Sequence, residues 1–127
     1  MVSGAIMPTA DPFLYTLSFT TMKGMALDTV EAAAVEALER VRMAGIEPQE
    51  LARAKRQLRA RLVFETDSVT NIAHQIGYFA TVAGPDYLGE MQSRIDAVTP
   101  EQVWDVAKRR LGSSTRTVGW FRPLEPR

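Results

Sequence analysis

One histidine, His74, is present in this 127-residue sequence, so acid-base or metal chemistry near neutral pH has to be sought around it first. A zinc site carried on a helix needs two histidines and a glutamate spaced as H-x-x-E-H or its inverse, and a lone histidine satisfies neither. A Ser-His-Asp arrangement would need a distant serine, and no G-x-S-x-G elbow is present to hold one. His74, with Tyr78 one turn further along the same side of a helix, therefore reads as a hydrogen-bonded structural or surface residue. The carboxylate pairs Glu36/Glu39 and Glu47/Glu50 fall on helix surfaces or in first turns, where capping and the helix dipole already account for them. Cysteine is absent, which removes disulfides, thiolate metal sites and a thiol nucleophile, and fits a reducing compartment. The glycines form neither G-x-G-x-x-G nor a Walker pattern. Residue chemistry thus names no catalytic residue, no cofactor-binding residue and no metal ligand in this chain.

The elements that would position such groups are well marked. Phe13, Tyr15, Leu17 and Phe19 alternate with Leu14, Thr16, Ser18 and Thr20, the period of two expected of a strand, after a loose lead-in. Asp28 with Glu31 reads as a capping box for a first helix over residues 29–43, with Val30, Ala34, Ala37, Leu38 and Val41 inward and Gly45 as its stop. Pro48 and Glu50 start a second helix over 48–65, with Ile46 stapling onto Leu51, and the two helices are expected to form a compact hairpin. Asp67 or Ser68 caps a third through Val69, Ile72, Ala73, Ile76, Phe79 and Ala83, ending near Gly84-Pro85. Within it, Gly77 reads as a site of close packing against a neighbour. Asp86 opens a shorter fourth through Tyr87, Leu88, Met91 and Ile95.

The fifth helix, over 100–111, has both ends written into it. Thr99 and Gln102 make a capping box, Pro100 suits the first position, Val103, Trp104, Ala107 and Leu111 face inward, and Gly112 stands where a left-handed C-terminal residue belongs. A closing strand over 115–121 follows, in which Trp120 and Phe121 anchor the scaffold.

Charge excludes more than it suggests. Lys plus Arg number 15 and Asp plus Glu number 15, so no net field favours nucleic acid or an anionic membrane. Leu51, Ala54, Leu58 and Leu62 share one arc of the second helix, and Arg53, Lys55, Arg56, Arg59 and Arg61 lie outside it. They read as a solvated face whose stems shield the core, in preference to a phosphate or acidic-peptide patch. No basic segment followed by an apolar run opens the sequence, and no stretch approaches the ~20 apolar residues of a membrane span. Localisation stays open, with the cytoplasm as default.

The expected class is α+β: strand, five helices, closing strand, with the antiparallel sheet incomplete in this chain. Two strands are marginal by themselves in water. Either they pair under a cap of helices with their edges docked elsewhere, or residues 1–127 are a single domain's back half whose other strands lie upstream. An exposed Phe or Tyr on an open edge would also allow peptide binding by strand addition, unless an upstream strand already fills that edge.

Three segments, PQELARAKRQLRARLVFE, IDAVTPEQVWDVAKRRL and RTVGWFRP, together resemble the C-terminal portion of the insulinase/pitrilysin family of zinc metallopeptidases, which includes the mitochondrial processing peptidases. The A-V-T-P-E element joined to T-V-G-W-F is the more specific part, the E-L-A-R-A-K run the weaker, and the similarity spans residues 11–123. The resemblance implies an α+β domain of helices on a largely antiparallel sheet, two such domains forming each half of a clam-shell around a peptide-cleaving chamber. Zinc, held by H-x-x-E-H and a distal Glu, would belong to the N-terminal domain of the family. The substrate-contacting Arg and Tyr of the non-zinc domain find no match and would fall before residue 1. The resemblance thus makes this chain a noncatalytic segment of a peptidase-family protein, inactive alone, that shapes the substrate chamber and domain interface. Its partners would be the rest of the peptidase chain or a partner subunit, with peptide substrate bound only by the parent, no nucleic acid and no membrane. The alternative is a stand-alone interaction module whose open sheet edge self-associates or binds a peptide.

Overall fold

A computed structural model of the chain describes residues 1–7, 9–11, 13–65 and 68–122, with residue 65 described by its main chain alone. The fold is α+β: strands β1 (Val2–Ile6) and β2 (Tyr15–Phe19), then helices α1 (Leu27–Ala44), α2 (Pro48–Glu65), α3 (Val69–Val82), α4 (Tyr87–Ala97) and α5 (Pro100–Arg110), and a 3-10 turn at Ser113–Thr115. The strands form a two-stranded antiparallel sheet, the incomplete sheet expected. Its second strand is not the closing segment, however. β2 pairs with Val2–Ile6, where Val2, Gly4 and Ile6 alternate with Ser3 and Ala5; residues 116–122 form no strand. A short loop makes the N-terminal pairing cheap in closure entropy. The closing segment is held instead by Trp120, whose indole N–H donates to Glu31 Oε2 on α1 at 2.8 Å. Neither Trp120 nor Phe121 is a buried anchor: both are exposed, Phe121 to 87 %.

Helix ends follow local chemistry. At α5 the Thr99 N–H donates to Gln102 Oε1 at 2.9 Å and the Gln102 N–H donates to Thr99 Oγ1 at 3.3 Å, a complete capping box with Pro100 behind it. The Glu47 N–H donates to Glu50 Oε2 at 3.0 Å at the start of α2. The box expected at Asp28 does not form, because α1 begins earlier: Ala26 is the N-cap, Leu27 joins the half-buried face, and Asp28 lies inside the first turn, where its charge still suits the dipole. Ser68 caps α3 by position without a side-chain bond, and Asp67 lies outside the described residues. Gly45 ends α1 at φ 78°, whereas Gly112 is extended at φ −74°, so the left-handed stop expected at Gly112 is absent and α5 ends through Leu111.

In the packing, α1 lies on the distant α5, α4 on both the distant α2 and its chain neighbour α3, and the hairpin makes no comparable contact with any helix. The compact α1/α2 hairpin is therefore not formed; each helix takes its partner from the C-terminal half. Gly77, expected at a close contact, has open space around it, since a Cβ added there would meet nothing within 4 Å. Among the described residues Ala107, on α5, is the one buried hydrophobic, at 3 % exposure. The chain exposes 10566 Å². A compact monomer of 14.1 kDa is expected to expose about 6,700 Å².

Candidate functional site

Exposed apolar side chains occur along the whole chain, and in the sheet they make up one face. In an antiparallel pair, directly opposed residues share a face. Val2 opposes Phe19, Gly4 opposes Leu17 and Ile6 opposes Tyr15, which puts every large apolar side chain of β1 and β2 on one side. The other side carries Ser3, Ala5, Thr16 and Ser18. Val2, Ile6, Tyr15 and Phe19 are all exposed, with no helix covering them. Gly4 leaves the hollow into which Tyr15 leans: a Cβ at that position would stand 2.6 Å from the Tyr15 hydroxyl and 3.3 Å from Leu17 Cδ2.

Hydrogen-bond phase decides which backbone groups remain free. The Met1 amine donates to the Thr20 carbonyl at 2.9 Å and the Thr20 N–H donates to the Met1 carbonyl at 2.8 Å, so this pair exchanges both bonds. Bonded and non-bonded pairs alternate along an antiparallel ladder. Ser3/Ser18 and Ala5/Thr16 are thus the bonded pairs, while the N–H and C=O groups of Val2, Gly4, Ile6, Tyr15, Leu17 and Phe19 point to the two outer edges. The edge that sequence reasoning left open on the first strand is filled on one side by an upstream strand, and among the described residues its other side has no partner. That reading passed over β1 although the alternation of Val2, Gly4 and Ile6 was there to see; Gly4 weakens the pattern.

The other residues weighed for chemistry have structural occupations. His74 is exposed on α3 and stacks on Tyr78, ring centroids 6.5 Å apart. Glu39 receives Arg42 Nε at 2.9 Å, and Glu50 receives the Glu47 N–H. Among the described residues no three His, Asp or Glu side chains converge as metal ligands would. On α2, Lys55 and Arg59 are not merely solvated: Lys55 Nζ donates to the carbonyls of Asp96 at 2.7 Å and Val98 at 2.6 Å, closing the C-terminus of α4, and Arg59 donates to Asp96 Oδ1 at 2.6 Å. Hydrogen bonds from Arg59 and then Gln92 hold the Asp96 carboxyl below the usual carboxylate range. The Glu101 carboxyl is likewise lowered, by its own backbone N–H and the Thr99 hydroxyl at the N-terminus of α5.

Trp104 serves the same kind of joint. Its indole N–H donates to the Arg42 carbonyl at 3.0 Å, Lys108 Nζ sits 4.0 Å from the ring centroid, and its Cγ would lie 3.4 Å from a Cβ on Gly45. Beside it, Ala44, Ile46, Pro100 and Glu101 outline a depression of about 210 Å³, and another of about 220 Å³ lies between Gly84 and Arg94. Both fall below the roughly 300 Å³ at which small-molecule pockets begin. No described helix is long and apolar enough to cross a membrane. The chain matches no protein-family model, and no curated protein or solved structure compared with it matches either. The hairpin face and its free edges remain the best-developed candidate.

Proposed function

We propose that this chain is a noncatalytic structural segment of a zinc-dependent peptidase-family protein, in which it helps to shape the substrate chamber and the domain interface. The observation that carries the reading is the unfinished sheet: two strands with an uncovered apolar face, beside helices that already pack on one another. Such a face is stable only when further strands or helices are laid on it. The resemblance of the A-V-T-P-E helix and T-V-G-W-F segment to the insulinase/pitrilysin family gives those missing layers a source. Zinc and its activated water would belong to another domain of the parent, and this segment would add walls and an interface.

The test is to tag the chain in its source cells, purify it and sequence by mass spectrometry the polypeptide it belongs to or is bound by. The expected result is an H-x-x-E-H sequence in that polypeptide, together with no peptide cleavage by the purified 127 residues in zinc. Stoichiometric zinc and peptide cleavage by the 127 residues alone would overturn it, as would a stable assembly containing no such motif.

The free outer edges favour a second reading, a stand-alone interaction module that self-associates or binds a peptide by strand addition. Light scattering separates it: a monomer at every concentration, with no peptide bound, counts against the module and leaves the peptidase reading untouched.

A further inference from the structure

We propose that the outer edge of β2 pairs with the same edge of a second copy, antiparallel and centred on Leu17, to give a two-fold four-stranded sheet in the order β1-β2-β2′-β1′. The proposal rests on the interaction-module reading and deepens it by naming the occupant and the register. Three observations select a second copy. First, β2 reads the same in both directions by chemical type: Tyr15, Thr16, Leu17, Ser18, Phe19 is aromatic, hydroxyl, leucine, hydroxyl, aromatic. Antiparallel self-pairing therefore sets Tyr15 against Phe19 of the other copy, Thr16 against Ser18, and Leu17 against itself, as an isologous contact requires. Aromatic pairs and hydroxyl pairs are favourable cross-strand neighbours.

Second, the hydrogen-bond phase fits. The residues whose N–H and C=O groups point outward from β2 are Tyr15, Leu17 and Phe19, and this register makes each of them a member of a bonded pair. None is left over. Third, the charges agree. No charged residue lies between Asp11 and Lys23, so this edge lacks the lysine or glutamate that usually discourages strand addition.

Sedimentation equilibrium on the full chain and on Leu17→Lys and Leu17→Glu variants tests this. The unaltered chain is expected to reach a dimer and stop. Each variant alone sets like charges face to face at the two-fold axis and is expected to dissociate more than about tenfold more readily. An equimolar mixture of the two variants is expected to recover the dimer, which a folding defect would not allow. A dimer indifferent to both variants overturns this register while leaving the module reading in place. A monomer at all concentrations overturns the dimer, and the module reading falls with it where no peptide binds either; neither result bears on the H-x-x-E-H search above.

Discussion

The joint between α1 and α5 and the hairpin β1–β2 are built from similar materials and reach opposite ends. At the joint, side chains of one helix finish the backbone of the other: Trp104 on α5 donates to the Arg42 carbonyl in the last turn of α1, and Gly45 turns away at φ 78° just beneath the indole. Ala107 is small enough to let the helices close, and it is the buried hydrophobic among the described residues. In the hairpin, backbone bonds are complete along one seam, yet Val2, Ile6, Tyr15 and Phe19 gain no third layer. Capping a neighbour makes two helices one structure; pairing two strands only creates a larger surface that still needs covering.

Substitutions at the joint should break the contrast most strongly. Ala107→Leu forces extra methylenes between α1 and α5 and is expected to cost about 2 kcal/mol, measured as a lower urea midpoint by circular dichroism. Gly45→Ala places a Cβ at a left-handed position against Trp104 and should cost about 1–2 kcal/mol in the same assay. Thr99→Ala, which removes one half of the capping box, should cost about 1 kcal/mol. A hairpin substitution such as Phe19→Ser, made in the monomer, should leave that helical transition unmoved. A loss of helical stability equal to that of Ala107→Leu would mean that the hairpin packs on the helices after all.

A smaller effect should appear at the α2–α4 contact as a pH dependence. Because hydrogen bonds from Arg59 and Gln92 lower the folded-state pKa of Asp96 beneath its ordinary value of 3.8, its contribution is present above that value and is lost as pH falls through the folded pKa. Asp96→Asn is therefore expected to be less stable than the unaltered chain at neutral pH, the two converging in acid. Asp96 is exposed, so added salt should shrink the difference as well.

The same division separates what the sequence makes legible from what it hides. The starts of α2 and α5 were legible because their signals are local: Pro48 starts α2 and Thr99-Pro100 starts α5 as the capping pattern requires. Partnerships were not, because nothing in the apolar arc of α2 says that the helix meets α4. Lys55 was indistinguishable from its basic neighbours until the C-terminus of α4 was placed beside it. Thr115 to Phe121 alternates like a strand, but whether it becomes one depends on a free edge within reach, and β1 had taken the inner edge of β2 while Glu31 held Trp120. The candidate site was half legible: the alternation in β2 marked a face, whereas the free edges required the hydrogen-bond phase.

That phase makes the finest prediction, one that tests the hairpin against itself. In the monomer, the amides of Ser3, Ala5, Thr16 and Ser18 lie inside the ladder, while those of Gly4, Leu17 and Phe19 face water. Amide exchange should therefore alternate residue by residue, with even the protected members faster than Leu111, whose N–H is bonded to the Ala107 carbonyl at 2.9 Å within the joint. Raising the concentration should then slow Leu17 and Phe19 on β2 while Gly4 on β1 stays fast, since only the outer edge of β2 would be filled. Slowing at Gly4 in place of Leu17 would shift the pairing to the edge of β1, where the symmetry of aromatic, hydroxyl and leucine residues is absent. A uniform rate along both strands would mean that the hairpin opens as a unit, with no edge privileged over the other.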